Sequence, residues 1–99
     1  MSNNKITLSK IKNVEGAYYA YSGKRRLAFI EKFSDGRWII YQSDESDGYN
    51  SARFFYELRR LMGRPKPLVL DFARLKDIRE YMSKAISEAD EFMMGGKNV

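Results

Sequence analysis

Ninety-nine residues form one domain, 1–99, long enough to enclose a single hydrophobic core without covalent staples. Cysteine and histidine are both absent, which excludes disulfides, the usual zinc sites and Ser-His or Cys-His nucleophile pairs. Eighteen Lys and Arg against thirteen Asp and Glu leave a charge of +5, a balance that suits polyanionic partners.

Met1 to Asn4 are polar and are expected to be a disordered tail, as are residues 95–99. This start lacks the continuous apolar stretch of a signal peptide, and no run approaches the roughly 20 apolar residues of a membrane span. The expected location is therefore the cytoplasm. Ile6 to Ser9 alternates like a short strand. After Glu15-Gly16, Ala17 to Tyr21 reads as a strand with three tyrosines in five residues.

Ser22-Gly23-Lys24 turns the chain into Arg26 to Gln42, where two aromatic and β-branched runs flank Asp35-Gly36. That dipeptide tolerates the positive φ angles of a type I′ turn and predicts a hairpin. A two-residue turn places Phe33 opposite Trp38. It gathers Leu27, Phe29, Phe33, Trp38 and Ile40 on one face, with Glu31 the exception, and Ala28, Ile30, Lys32, Ile39 and Tyr41 on the other. A three-residue loop with a bulge would slip one strand and break up that grouping, so the two-residue turn is preferred. The second face is still too apolar to be simply solvated. It is either covered or a binding surface.

Ser43 to Asp47 reads as an acidic loop. Asn50 or Ser51 can cap a helix over Ala52 to Met62, whose apolar stripe is Phe54, Phe55, Leu58, Leu61 and Met62. Gly63, Pro65 and Pro67 end it. Leu68-Val69-Leu70 predicts a short edge strand. From about Phe72, with Asp71 as a possible cap, Leu75, Ile78, Met82, Ala85 or Ile86, Ala89 and Phe92 or Met93 repeat at helical steps. Such a helix spans about 30 Å, more than a small sheet needs. Its far end is expected to project beyond the sheet or to pair with a second copy, and Ile86, Ala89, Phe92 and Met93 are the residues through which a dimer could form. The expected class is α+β: an antiparallel sheet of three or four strands with two helices, the C-terminal one long.

No enzyme, metal or cofactor signature emerges. Asp44, Glu45 and Asp47 lack EF-hand spacing, Gly23-Lys24 lacks the glycine framework of a phosphate loop, and Glu57, Asp77 and Glu80 read as surface ion pairs. The positive charge, by contrast, is clustered. Lys24, Arg25 and Arg26 lie between two strands, and Lys32 and Arg37 flank the hairpin turn. Arg53, Arg59, Arg60, Arg64 and Lys66 form a second group. Such side chains bind a phosphate backbone by releasing its counterions, and Tyr18, Tyr19, Tyr21 and Tyr41 offer stacking surfaces or hydroxyls beside them.

The expected function is that of a small, non-enzymatic, nucleic-acid-binding accessory or regulatory protein, with DNA favoured over RNA. Its contacts would come from Lys24, Arg25, Arg26, Lys32, Arg37, Arg59, Arg60, Arg64 and Tyr41. The alternative is a protein-interaction module, such as a phage or mobile-element regulator or inhibitor of a larger nucleic-acid-processing enzyme. It is suggested by the two-sided apolar sheet and the long last helix.

Leu68-Val69-Leu70-Asp71-Phe72-Ala73-Arg74-Leu75, continuing to Tyr81, follows a strand-to-helix pattern. Together with the Trp38 strand, it resembles small sheet-plus-helix DNA-binding modules: the plant ethylene-response-factor domain and the arm-binding domain of tyrosine recombinases. The resemblance covers parts of residues 17–81, and the helix at Ala52 to Met62 interrupts its order. It implies a sheet face entering the major groove, with Arg26, Lys32 and Arg37 as contacts.

Overall fold

The computed structural model describes residues 6–44, 49–64, 68–71 and 74–94. The two expected tails, most of the acidic loop, the Pro65 to Pro67 stop and the start of the last helix at Phe72 lie outside them. The elements in chain order are β1 (Thr7–Lys10), β2 (Ala17–Ser22), β3 (Arg25–Lys32), β4 (Arg37–Gln42), α1 (Ala52–Met62), β5 (Leu68–Asp71) and α2 (Leu75–Met93). The class is α+β. The antiparallel sheet has five strands in the order β1-β2-β3-β4-β5, against the three or four expected. Both short segments, β1 and β5, pair as edge strands.

The central hairpin closes differently from the sequence expectation. Phe33 N–H donates to the Arg37 carbonyl at 2.8 Å, and Gly36 N–H donates to the Phe33 carbonyl at 3.0 Å. The loop is therefore Ser34-Asp35-Gly36, three residues long. Gly36 has φ +91°, the left-handed position that such a loop needs and glycine adopts without strain. Asp35 accepts from Arg37 N–H at 3.1 Å and locks the corner. The register becomes Lys32 opposite Trp38, Ile30 opposite Ile40 and Phe29 opposite Tyr41. A slip of one position moves every side chain of one strand to the other face. Ile30 thus joins Trp38 and Ile40 in the core, and Phe29 and Phe33 do not.

A second irregularity lies in β3. Ala28 pairs with Ala20, but Arg26 pairs with Tyr21, so Leu27 is an extra residue. At this bulge Leu27 and Ala28 are both fully buried. That is how Leu27 keeps the core position expected of it although its neighbours have slipped.

Both helices cover one face of the sheet. Phe54, Phe55 and Leu58 of α1, with Ile78, Met82, Ala85, Ile86 and Ala89 of α2, meet Ala20, Ala28, Ile30, Trp38, Ile40, Leu68 and Leu70 in one apolar core. The α1 stripe behaves as its spacing predicts, and Gly63 at φ +66° ends it, with Arg64 N–H donating to the Arg59 carbonyl. Asn50 accepts from Ala52 N–H at 2.9 Å, whereas Ser51 is buried and donates its hydroxyl to the Ser43 carbonyl.

Asp71 belongs to β5, and α2 begins at Leu75 behind Arg74. Ile86 and Ala89 are 0% and 1% exposed, so they are core residues and not part of a projecting surface. The helix reaches beyond the core only at its last turn, where Phe92 and Met93 are exposed. Among the described residues no helix is long and apolar enough to cross a membrane.

Candidate nucleic-acid interface

Alternation and pairing collect a set of side chains on the sheet face away from the helices. Tyr19 pairs with Phe29, and Phe29 with Tyr41, making a row of three rings across β2, β3 and β4. Ring centroids are 5.9 Å apart for Tyr19 and Phe29 and 5.4 Å for Phe29 and Tyr41, the latter nearly parallel at 28°. Tyr21 meets Tyr19 edge-on at 6.3 Å. These residues do not belong to the core that the helices cover. They are half-buried by one another, and Tyr41 is 37% exposed. Such a row is a platform on which planar rings stack.

Cations bracket the row. The Arg26 guanidinium sits 4.3 Å over the Tyr19 ring, within cation–π range. Further along the same face, at the hairpin end of β3 and β4, Arg37 lies 5.6 Å over Phe33 and donates to the Asp35 carboxylate at 2.8 Å. Arg37 holds Asp35 below the usual carboxylate range, through its backbone N–H first and its guanidinium after that. Partial burial, then the charge of Glu31 and a hydrogen bond to it, holds the Tyr41 hydroxyl above the ordinary tyrosine range.

The expected contact residues divide between the two sides of the sheet. Arg26, Arg37 and Tyr41 share the open face, and Lys24 is exposed at the adjacent β2–β3 tip. Arg25 turns the other way. It donates to both carboxylate oxygens of Asp90 on α2, at 2.8 and 3.1 Å, and those bonds raise its pKa further. Lys32 is on the helix side, 5.6 Å over Trp38. Tyr18 also faces that side and packs against Trp38.

Arg59, Arg60 and Arg64 belong to the helical layer. Arg60 is engaged by Glu57 at 2.9 Å and Glu88 at 3.6 Å. Glu57, read from its spacing as a surface partner, is 4% exposed and held between Arg53 and Arg60. The sheet therefore separates Arg26 and Arg37 on the open face from Arg59, Arg60 and Arg64 in the helical layer.

Phe29 is the contributor that the sequence assigned to the core. Next to the bulge lies a depression of about 320 Å³ beside Tyr19 and Phe29, with Arg26, Ala28, Gln42, Ser43 and Asp44 around it. No His/Cys/Asp/Glu group able to hold a metal ion occurs among the described residues. Comparison of the chain with protein-family models, curated proteins and solved structures found no match.

Proposed function

We propose that this is a non-enzymatic nucleic-acid-binding protein that lays a single strand across the open face of its sheet. The observation that carries this reading is the partly exposed Tyr19–Phe29–Tyr41 row with Arg26 stacked at its end. Bases stack on such rings whatever their sequence, and neighbouring Lys and Arg track the phosphates. Lys24 and Arg26 supply charge at one end and Arg37 at the other. A DNA strand is the favoured ligand, and an accessory or regulatory role suits a chain of this size.

Width favours a single strand over a duplex. Five strands spaced about 4.8 Å apart make a face roughly 19 Å across. The major groove is about 12 Å wide and admits a two-stranded ribbon. Arg59, Arg60 and Arg64 lie behind the sheet, outside the path of a strand on the open face.

Anisotropy of a labelled single strand tests the reading. Binding is expected at low salt, weakening with a slope of about −0.7 in log K against log salt per phosphate neutralised. Tyr41→Ala is expected to weaken it about tenfold, as loss of one stacking ring does. Absence of binding by DNA and RNA strands at low ionic strength overturns the proposal.

A second reading, a protein-interaction module, is favoured by one observation. Phe92, Met93 and Met94 are 54%, 69% and 83% exposed at the end of α2, where the Arg53 guanidinium lies over both the Phe92 and the Tyr56 ring. Self-association through this end would show as a dimer in sedimentation that Phe92→Ser abolishes.

A further inference from the structure

Helix α1 turns a basic surface outward, on the far side of the core from the ring row. Tyr56, Arg60 and Gly63 follow one another at steps of four and three. Arg59 and Arg64 flank them around a shallow groove of about 270 Å³. Glu57 is buried and already spans Arg53 and Arg60, and Glu88 of α2 reaches Arg60 at 3.6 Å. Among the described residues no carboxylate pairs with Arg59 or Arg64. Arg59 is half-buried, so packing orders its stem, yet its Nε has no hydrogen-bond partner among those residues. The last carbonyls of the helix do not need these guanidinium groups as caps. Those of Arg59 and Arg60 accept from the N–H groups of Arg64 and Gly63.

The groove adjoins an apolar patch. The Arg53 guanidinium lies 4.7 Å from the Tyr56 ring centroid and 3.6 Å from that of Phe92. Tyr56 therefore links the groove to the last turn of α2, with its exposed Phe92 and Met93. Arginine, aromatic and methionine side chains are the types enriched where proteins dock.

We infer that this surface docks an acidic segment of a partner protein. Its carboxylates meet Arg59 and Arg64, and an apolar side chain covers Tyr56 and Phe92. Guanidinium forks take carboxylates in pairs of hydrogen bonds. The groove is smaller than ordinary ligand pockets, which suits single side chains and not a whole small molecule. A continuous phosphate chain fits less well, because Glu88 stands half-exposed beside Arg60 and methionine offers a phosphodiester nothing. A peptide can alternate carboxylates with apolar groups, avoiding the first and covering the second. The inference does not rest on the single-strand reading, and the sheet would lie between the two ligands.

The test uses the whole chain and short labelled peptides rich in aspartate, with one phenylalanine at the start, middle or end. Binding of at least one is expected in anisotropy. Arg59→Gln and Arg64→Gln keep the stem and remove the charge. Each should weaken the peptide about fivefold, the loss typical of an interface arginine, and leave oligothymidylate affinity unchanged. Replacing the phenylalanine by serine should also weaken it. Failure of every peptide to bind, or binding that survives both substitutions, overturns the proposal. So does an oligothymidylate that displaces the peptide and loses affinity in Arg59→Gln, which makes the groove a phosphate site. A wild-type dimer in sedimentation that Arg59→Gln dissolves, with no peptide bound, assigns the groove to a second copy and overturns it too. Failure of oligothymidylate alone counts against the open-face reading and leaves this one standing.

Discussion

Arg25, near the start of β3, reaches the last turns of α2, where its guanidinium grips both carboxylate oxygens of Asp90. It also bonds the Ser22 hydroxyl at 3.1 Å and lies 5.3 Å from the Tyr49 ring. One side chain thus joins the β2–β3 tip, the end of the long helix and the segment leading into α1. Burial, more than the nearby charges, keeps the Tyr49 hydroxyl above its ordinary range.

The first prediction follows from that position. Asp90→Ala is expected to cost about 1–2 kcal/mol in urea denaturation, because a bidentate charge-assisted pair outweighs an exposed one while both partners here still reach water. Arg25→Ala should cost a similar amount, and the double variant little more than either alone. Strand affinity should stay close to wild type, since Arg25 faces away from the ring row. A strong binding defect in folded Arg25→Ala would move the interface to the other side of the sheet.

The hairpin register gives a second prediction. Ile30→Ala removes a fully buried side chain and is expected to cost about 3 kcal/mol. Phe29→Ala, on the open face, should cost markedly less stability and instead reduce strand binding. Equal losses of stability, or a larger one for Phe29→Ala, would restore the register that a two-residue turn implies.

That contrast shows where the sequence was legible. The α1 stripe ending at Gly63 needs only helical spacing and one left-handed residue, so Phe54, Phe55 and Leu58 could be placed without a structure. Phe29 and Ile30 are adjacent, as are Ile39 and Ile40, and both parities look apolar. Alternation then cannot say which face is inward, and the loop length decides. Asp35-Gly36 fits both lengths, with Gly36 as a turn residue or as the bulge residue after it. The open ring row depended on that choice. The pocket at Leu27–Ala28 depended on a bulge that hydrophobic pattern does not mark. Charge was legible as amount but not as direction: Arg25 and Arg26 are neighbours with opposite destinations.

Glu57 supplies a third prediction. Its carboxylate accepts from Arg53 at 2.6 Å and from Arg60 at 3.0 Å, while almost none of it meets solvent. Glu57→Ala leaves Arg53 without its carboxylate and Arg60 with only the longer contact to Glu88, and should cost about 3 kcal/mol in denaturant titration, the lower end for breaking a buried pair, because the arginines reach water. Glu57→Gln should recover part of the loss by keeping an acceptor. A neutral effect of Glu57→Ala would mean that the helical layer does not rely on this network.

The hairpin corner makes a prediction about pH. Asp35 titrates below its unfolded value, so its contribution is present above the ordinary aspartate range, near pH 4, and is lost as pH falls through the lower folded value. The largest cause is the backbone N–H of Arg37, which Arg37→Ala retains. NMR titration of the Asp35 carboxyl carbon should therefore show a depressed pKa in the wild type, with only part of the depression lost in Arg37→Ala. Complete return to the ordinary value would assign the effect to the guanidinium instead.

The final prediction separates phosphate contact from ring stacking on the open face. Arg26→Ala removes a cation at the end of the row and the guanidinium over Tyr19. It should weaken strand binding and also flatten the salt dependence by about 0.7 in log–log slope, the share of one phosphate on a single strand. Tyr41→Ala should weaken binding about as much but leave the slope unchanged, because a stacked ring releases no counterion. Arg60→Ala, in the helical layer and engaged by Glu57, should alter neither quantity. If Arg60→Ala changes the slope and Arg26→Ala does not, the phosphates lie along α1 and the open face is not the interface.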